Sequence, residues 1–334
     1  MPLLSILVVT LNEAPRLPAL ASALASLRLP DGWSLETILV DGGSTDSTPD
    51  VARELAFDRV LVLPGASIPV CRNAAIRAAT GDALAFLDGD CVPSTDWFLE
   101  AAPLLSSPPP TLLGYPVRPP PDGNWIQRSW HAHWQHKNPS SASSAPVSSA
   151  DGAFRLITTR NMLFNRALLT VVPAFDETLT TGEDTDFAFR ATESGARVLA
   201  LPSLLVVHLG EPATLRQYFR QQLWHANRKA YATILRSSGG KRGANAIYFS
   251  AASLLALLLA LLGLVLAPVL RSPWPLLGLL PLLAVVSLPA LLISARARSP
   301  LLFPRLAVLY FLYGLARSID LLGLAPAKPS WKSP

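Results

Sequence analysis

Two carboxylates flank a glycine at Asp88-Gly89-Asp90, directly after the apolar run 83–87. Hard oxygen donors this close suit Mg2+ or Mn2+, and such an ion suits a diphosphate. The same residues also fit a plain surface turn, because Asp-Gly is a common turn pair. Polar residues end other apolar runs in the same way: Thr10, Asn12 and Glu13 close the first, Asp41 the second, and His208 a late one. Glu183, Asp184 and Asp186 stand within four residues after Gly182. Acids in a first helical turn are ordinary dipole partners, yet three exceed what capping needs. His131, His133 and His136, beside Trp130 and Trp134, invite zinc, but their spacing fits no standard zinc site. A helix lying at a membrane surface, or gating the site, is the preferred alternative. Cys71 and Cys91 make neither a CxxC nor a zinc spacing and read as buried free thiols of a reducing compartment.

The elements that must position these groups alternate. Strands are expected at 4–11, 36–40, 59–63 and 83–87, with helices to about Leu27, after Asp46, and over 69–80. Asp46, or Ser44, is the expected cap of the second helix. Such alternation argues for a parallel sheet with helices on both faces, and the carboxyl ends of its strands then share one edge, where ligands bind. Neither GxGxxG nor GxxxxGK[ST] occurs, which counts against a dinucleotide dehydrogenase and a P-loop NTPase. Further on, a strand is expected within 111–117, a helix over 124–137, and a loop over the Ser-, Ala- and Pro-rich 139–150. A helix opens at 181–186, and short strands follow at 198–201 and 204–207.

Charge divides the chain. Residues 1–210 hold 14 basic and 21 acidic side chains, net −7; residues 211–334 hold 14 and 2, net +12. The mean hydropathy of +0.35 is high for a soluble enzyme. A soluble acidic front tethered to a membrane is expected. A basic half can also bind nucleic acid, but this one is too apolar to be a solvated basic face, so no nucleic-acid partner is expected. The expected domains are 1–210, catalytic; 211–246, a basic amphipathic helix (211–237) and linker that could lie on anionic lipid; and 247–325, a membrane domain. Spans are expected at 247–270 and 274–293. A third at 301–324 is interrupted by Arg305, Arg317 and Asp320, and either crosses or lies in the interface. The positive-inside rule places residues 1–246 in the cytoplasm of a multi-pass protein of the inner membrane.

Together, Val8–Glu13, Val40–Asp46, Arg72-Asn73, Phe86–Asp90 and Gly182–Asp186 resemble the family 2 glycosyltransferases over about residues 3–230. The resemblance implies a GT-A fold: α/β and Rossmann-like, with a mostly parallel sheet, helices on both faces, and transmembrane helices following. It implies that Thr10, Glu13, Asp41, Arg72 and Asp88 face a nucleotide-sugar donor, UDP-linked foremost. By the same likeness Asp88 and Asp90 form a DxD motif for Mg2+ or Mn2+, with His208 either a further ligand or a simple strand-end histidine. Asp184 is then the catalytic base and Glu183 its neighbour.

Processive members carry Gln-x-x-Arg-Trp ahead of their spans. Here the place reads Gln221-Gln-Leu-Trp224-His225 without the arginine. A single transfer onto a lipid or lipid-linked acceptor is therefore expected, with Trp224 and Gln221 as acceptor contacts. One base and one attacking face imply inversion. The rival classes are a membrane-bound nucleotidyltransferase, which should keep a basic phosphate loop where residues 10–20 offer only Arg16, and a non-catalytic membrane scaffold, which has no reason to gather Asp41, Asp88, Asp90 and Asp184.

Overall fold

The computed structural model describes residues 1–106, 108–137, 145–179, 181–226 and 244–325. It divides into two compact units, one of residues 1–121 and 139–211, the other of residues 122–138 and 212–334.

The first unit is built on strands β1 (Leu3–Thr10), β2 (Ser34–Asp41), β3 (Arg59–Val62) and β4 (Ala83–Asp88), all mutually parallel. Helices α1 (Leu17–Ala25), α2 (Thr48–Glu54) and α3 (Ile68–Ala78) connect them. β1 and β4 are covered on both faces, which is why their sequences are nearly continuous apolar runs. Two buried polar residues interrupt this core productively: Ser5 donates to Glu36 at 2.5 Å, and Glu36 also accepts from the Thr80 amide at 2.9 Å. Beyond α4 (Ala101–Leu105), the sheet continues with β6 (Thr111–Gly114), β7 (Val147–Ser148), β8 (Met162–Asn165) and β9 (Arg197–Ala200), with α6 (Glu183–Glu193) between the last two. Among the described residues the strand order is β3-β2-β1-β4-β8-β6-β9-β7. β8 runs antiparallel to both β4 and β6, so the sheet is mostly rather than wholly parallel. A small second sheet pairs β5 (Cys91–Pro93) with β10 (Val206–His208), antiparallel, with His208 opposite Cys91.

The second unit holds α5 (Trp125–Lys137), α7 (Leu215–His225) and three apolar helices, α8 (Ala244–Val269), α9 (Leu279–Arg296) and α10 (Leu302–Leu321). Stretches 247–269, 274–296 and 302–321 are each long and apolar enough to cross a membrane. α10 is a continuous helix, with Arg317 and Asp320 buried. Lys328 and Lys332 lie outside the described residues.

The three histidines on α5, whose spacing fits no standard zinc site, are not the ion-holding group: among the described residues that grouping is Asp90, Cys91 and His208. His133 is instead buried, stacked on Trp130 at 4.5 Å and hydrogen-bonded through Nδ1 to the Tyr310 hydroxyl at 2.7 Å. The basic helix begins at Leu215, not 211, because Pro212 precedes a capping box formed by Thr214 and Gln217. It ends at Ala226, whose backbone is extended; Arg228, Lys229 and Arg236 lie outside the described residues. Within the expected loop 139–150, Val147 and Ser148 pair with β9, while 139–144 lie outside the described residues. The cap position of α2 is Ser47; Asp46, one residue earlier, takes the Thr48 amide at 3.0 Å, and Ser44 serves another loop.

Candidate active site

Register brings the polar strand ends together. Thr10 pairs with Asp41 across β1 and β2, and Val9 with Asp88 across β1 and β4. Asp41 is fully buried, and its carboxylate accepts from the amides of Gly43 and Ser44 at 2.9 and 2.7 Å, from the Ser44 hydroxyl, and from Thr10 Oγ1 at 3.4 Å. Asn12 locks the neighbouring turn by donating its amide to Ser44 Oγ and accepting from the Thr45 amide. Glu13 is held by Arg16 at 2.8 Å and donates its own amide to Thr48 Oγ1. Gly89 is small for a physical reason: a Cβ there would come 2.7 Å from Thr10 Cγ2 and 3.3 Å from Glu13 Cβ.

Asp88 and Asp90 are both buried. The small sheet carries His208 onto Asp90, with Nε2 3.1 Å from Oδ2. The approach is not aligned as a hydrogen bond, and among the described residues Nε2 has no hydrogen-bond partner. Gly210 leaves space for the same carboxylate, since a Cβ there would collide with Asp90 Oδ2. The other ring nitrogen, Nδ1, meets Glu211 Oε1 at 2.9 Å, and Glu211 in turn takes Arg160 Nη1 at 3.0 Å. Burial works against charge on His208, but Asp90 and Glu211 outweigh it and lift its pKa to about 9. Burial would raise Glu211, yet His208 and Arg160 bring it down to about 2. A buried imidazole nitrogen without a hydrogen bond, converging with a buried carboxylate on one spot, fits a divalent cation.

Across the site, α6 begins with three acids in three different situations. Glu183 is buried and ion-paired with Arg72, whose guanidinium also lies 5.6 Å from the Phe175 ring centre. Burial raises the Glu183 pKa, Arg72 opposes this and Asp184 adds to it, and the net shift is upward. Asp186 is committed to Arg190 at 2.7 Å, one turn on. Asp184 is half-buried and accepts from the Thr185 amide at 2.7 Å. Arg160 is within electrostatic reach of Asp88 and Asp184 as well as Glu211; burial opposes its charge, but these acids raise its pKa. Arg160 and Glu211 are the residues that pattern reasoning missed.

The Cys71 thiol is pushed up to about 12, chiefly by burial, and is chemically quiet. Trp224 and Gln221 sit half-buried on α7, in the second unit.

An α/β sheet with this strand order, mostly parallel and with helices on both faces, is a GT-A-like fold. The fold is shared with the mannosyltransferase PcManGT from Pyrobaculum calidifontis, solved with GDP-Man and Mn2+ (TM-score 0.57, 20% identity, 96% of this chain and 87% of that one). Residues 5–169 match the model of Glycosyl transferase family 2, and the chain belongs to that family, whose members take sugar from a nucleotide-sugar donor. It is 26% identical over 241 residues to Glycosyltransferase AglE of Haloferax volcanii, covering 68% of this chain and 76% of the relative. It is 32% identical over 111 residues to the Beta-monoglucosyldiacylglycerol synthase of a Nostoc strain, covering 31% of this chain and 24% of that protein. The three apolar helices point to membrane association.

Proposed function

We propose that the protein is an inverting, metal-dependent glycosyltransferase of the cytoplasmic face of the inner membrane. It moves one sugar from a nucleotide-diphosphate sugar, UDP-linked foremost, to a hydroxyl of a lipid or lipid-linked acceptor. The observation that carries this is the convergence of Asp90 and His208 on one spot, with Asp88 and Asp184 both within reach of Arg160. Asp88, Asp90 and His208 would hold the cation, as Mg2+ or Mn2+. When bound, such an ion offsets the charge that builds on a departing diphosphate.

Thr10, Glu13 and Asp41 orient the nucleotide, Asp41 through the turn it organises. Asp184 accepts the proton of the acceptor hydroxyl as that oxygen attacks the sugar carbon from the face opposite the diphosphate. Glu183 does not serve as the base, because Arg72 already holds it; the pair fixes the start of α6 and so the place of Asp184. One base on one face yields inverted configuration, by the geometry that separates inverting from retaining hydrolases. Trp224 and Gln221 are proposed acceptor contacts, and the missing arginine in that helix supports a single transfer. A lipid acceptor is supported by the membrane spans and by the diacylglycerol in the name of the Nostoc relative. Arg296 and Arg298 after the second span support the cytoplasmic placement.

The test is to incubate the purified full chain with radiolabelled nucleotide sugars, Mn2+ and extracted membrane lipids. Label is expected in the organic phase. Consumption of no nucleotide sugar, or label confined to water-soluble products, would count against a lipid acceptor.

A further inference from the structure

We propose that Glu211, itself held by Arg160, is the positioning residue that turns His208 Nε2 toward the cation. This rests on the metal site proposed above. An imidazole can present either nitrogen, and the partner of one fixes the other. Here Nδ1 meets Glu211 Oε1 at 2.9 Å, which leaves Nε2 directed at Asp90 Oδ2, 3.1 Å away and without a hydrogen bond. Carboxylates that accept from the far nitrogen of a ligating histidine orient the ring and raise its basicity.

The segment from His208 to Glu211 is shaped around Asp90. The Leu209 amide donates to the Asp90 carbonyl at 2.8 Å, Gly210 makes room for the Asp90 side chain, and Glu211 returns to His208. Arg160 closes the arrangement from a rigid position. Its neighbour Asn161 is fully buried and binds Trp97 Nε1 and the carbonyls of Tyr115 and Leu204. Arg160 also lies two residues before Met162, the antiparallel partner of Phe86, which is itself two residues before Asp88. The pairing of β8 with β4 therefore carries the guanidinium toward the carboxylate edge, where it donates at 3.0 Å to Glu211 Oε1, the same oxygen that meets His208 Nδ1. The order of contacts is Arg160, Glu211, His208, Asp90.

The test is Mn2+ titration of the full chain in detergent, with free Mn2+ read by electron paramagnetic resonance and folding checked by thermal melting. Glu211→Gln should weaken Mn2+ binding by about 10- to 100-fold. In a His208→Ala background the same change should have no further effect, because the ring it orients is gone. Arg160→Gln should weaken Mn2+ in the same direction, with partial recovery in Arg160→Lys, and this pair carries the test if Glu211→Gln fails to fold. Unchanged Mn2+ affinity in folded Glu211→Gln or Arg160→Gln, or a full loss repeated on top of His208→Ala, overturns the relay. If His208→Ala itself leaves Mn2+ binding intact, the metal site fails, and the relay with it; a loss there without one at Glu211 fails the relay alone.

Discussion

Asp184→Asn separates the proposed base from its two acidic neighbours. The change keeps size and shape, and the asparagine carbonyl can still accept from the Thr185 amide, now 2.7 Å from Asp184 Oδ1. Only the proton acceptor is removed. Loss of a general base typically costs a factor of 10² to 10⁴, or about 3–5 kcal/mol of barrier. The expected result is a fall in turnover of at least about a hundredfold, with melting temperature and nucleotide affinity little changed. Asp186→Asn instead breaks a largely buried pair with Arg190, so its signature is a lowered melting temperature with turnover near normal. Glu183→Gln strands the buried Arg72 charge, a change that typically costs about 3–5 kcal/mol of stability, so its signature is a lowered melting temperature. Single-turnover rates, nucleotide titration and thermal melts on the three variants read these outcomes apart. If Asp184→Asn keeps most of its turnover, or loses nucleotide binding in proportion to rate, the base is elsewhere.

Other perturbations have definite outcomes. Gly210→Ala should displace the Asp90 carboxylate and raise the Mn2+ requirement for transfer while nucleotide binding without metal is unaffected; an unchanged Mn2+ optimum would contradict the packing. Glu36→Gln should destabilise the fold near neutral pH. Burial raises the Glu36 pKa, but bonds from Ser5 and Thr80 and the charge of Arg59 lower it overall, below its ordinary 4.5. Its contribution is therefore present above about pH 4.5 and lost as pH falls through the lower folded value, so the melting difference from wild type should shrink in acid. A 1–240 fragment loses the apolar helices, but also uncovers Ile126, Trp130 and Tyr218, which pack with Leu306 and Tyr310 in the second unit. It should leave the bilayer core under alkaline wash yet aggregate or hold detergent; an alkali-resistant integral fragment would refute the assignment of the spans.

β1, β4 and the Asp88-Gly89-Asp90 turn are legible because buried parallel strands read as unbroken apolar runs that stop at polar residues, whereas β3 is a part-exposed edge strand read from its short apolar run alone. The three apolar helices were legible by length and composition alone. Less was visible where tertiary pairing decides. Nothing in the run 162–165 says that it enters antiparallel beside β4, and so Arg160 did not stand out. Glu211 reads as an isolated acid before a proline; the turn after β10 folds it back on His208, and the pairing of β10 with β5 sets that histidine against Asp90. For the histidines of α5, spacing argues against a zinc site, but sequence does not show the Trp130 stack and the Tyr310 hydroxyl that absorb His133. Helix α7 starts later than charge alone suggests, because Pro212 and the Thr214–Gln217 capping box set its first turn at Leu215.

The most direct test of single-displacement, metal-dependent transfer is the anomeric configuration of the first product. The full chain in lipid, supplied with Mn2+ and the nucleotide sugar it consumes, should give a glycolipid whose anomeric proton coupling in NMR reports inversion relative to the donor. EDTA and Asp90→Ala should each abolish its formation. A product with retained configuration, or full formation in EDTA, would contradict the roles proposed for Asp184 and for Asp88, Asp90 and His208.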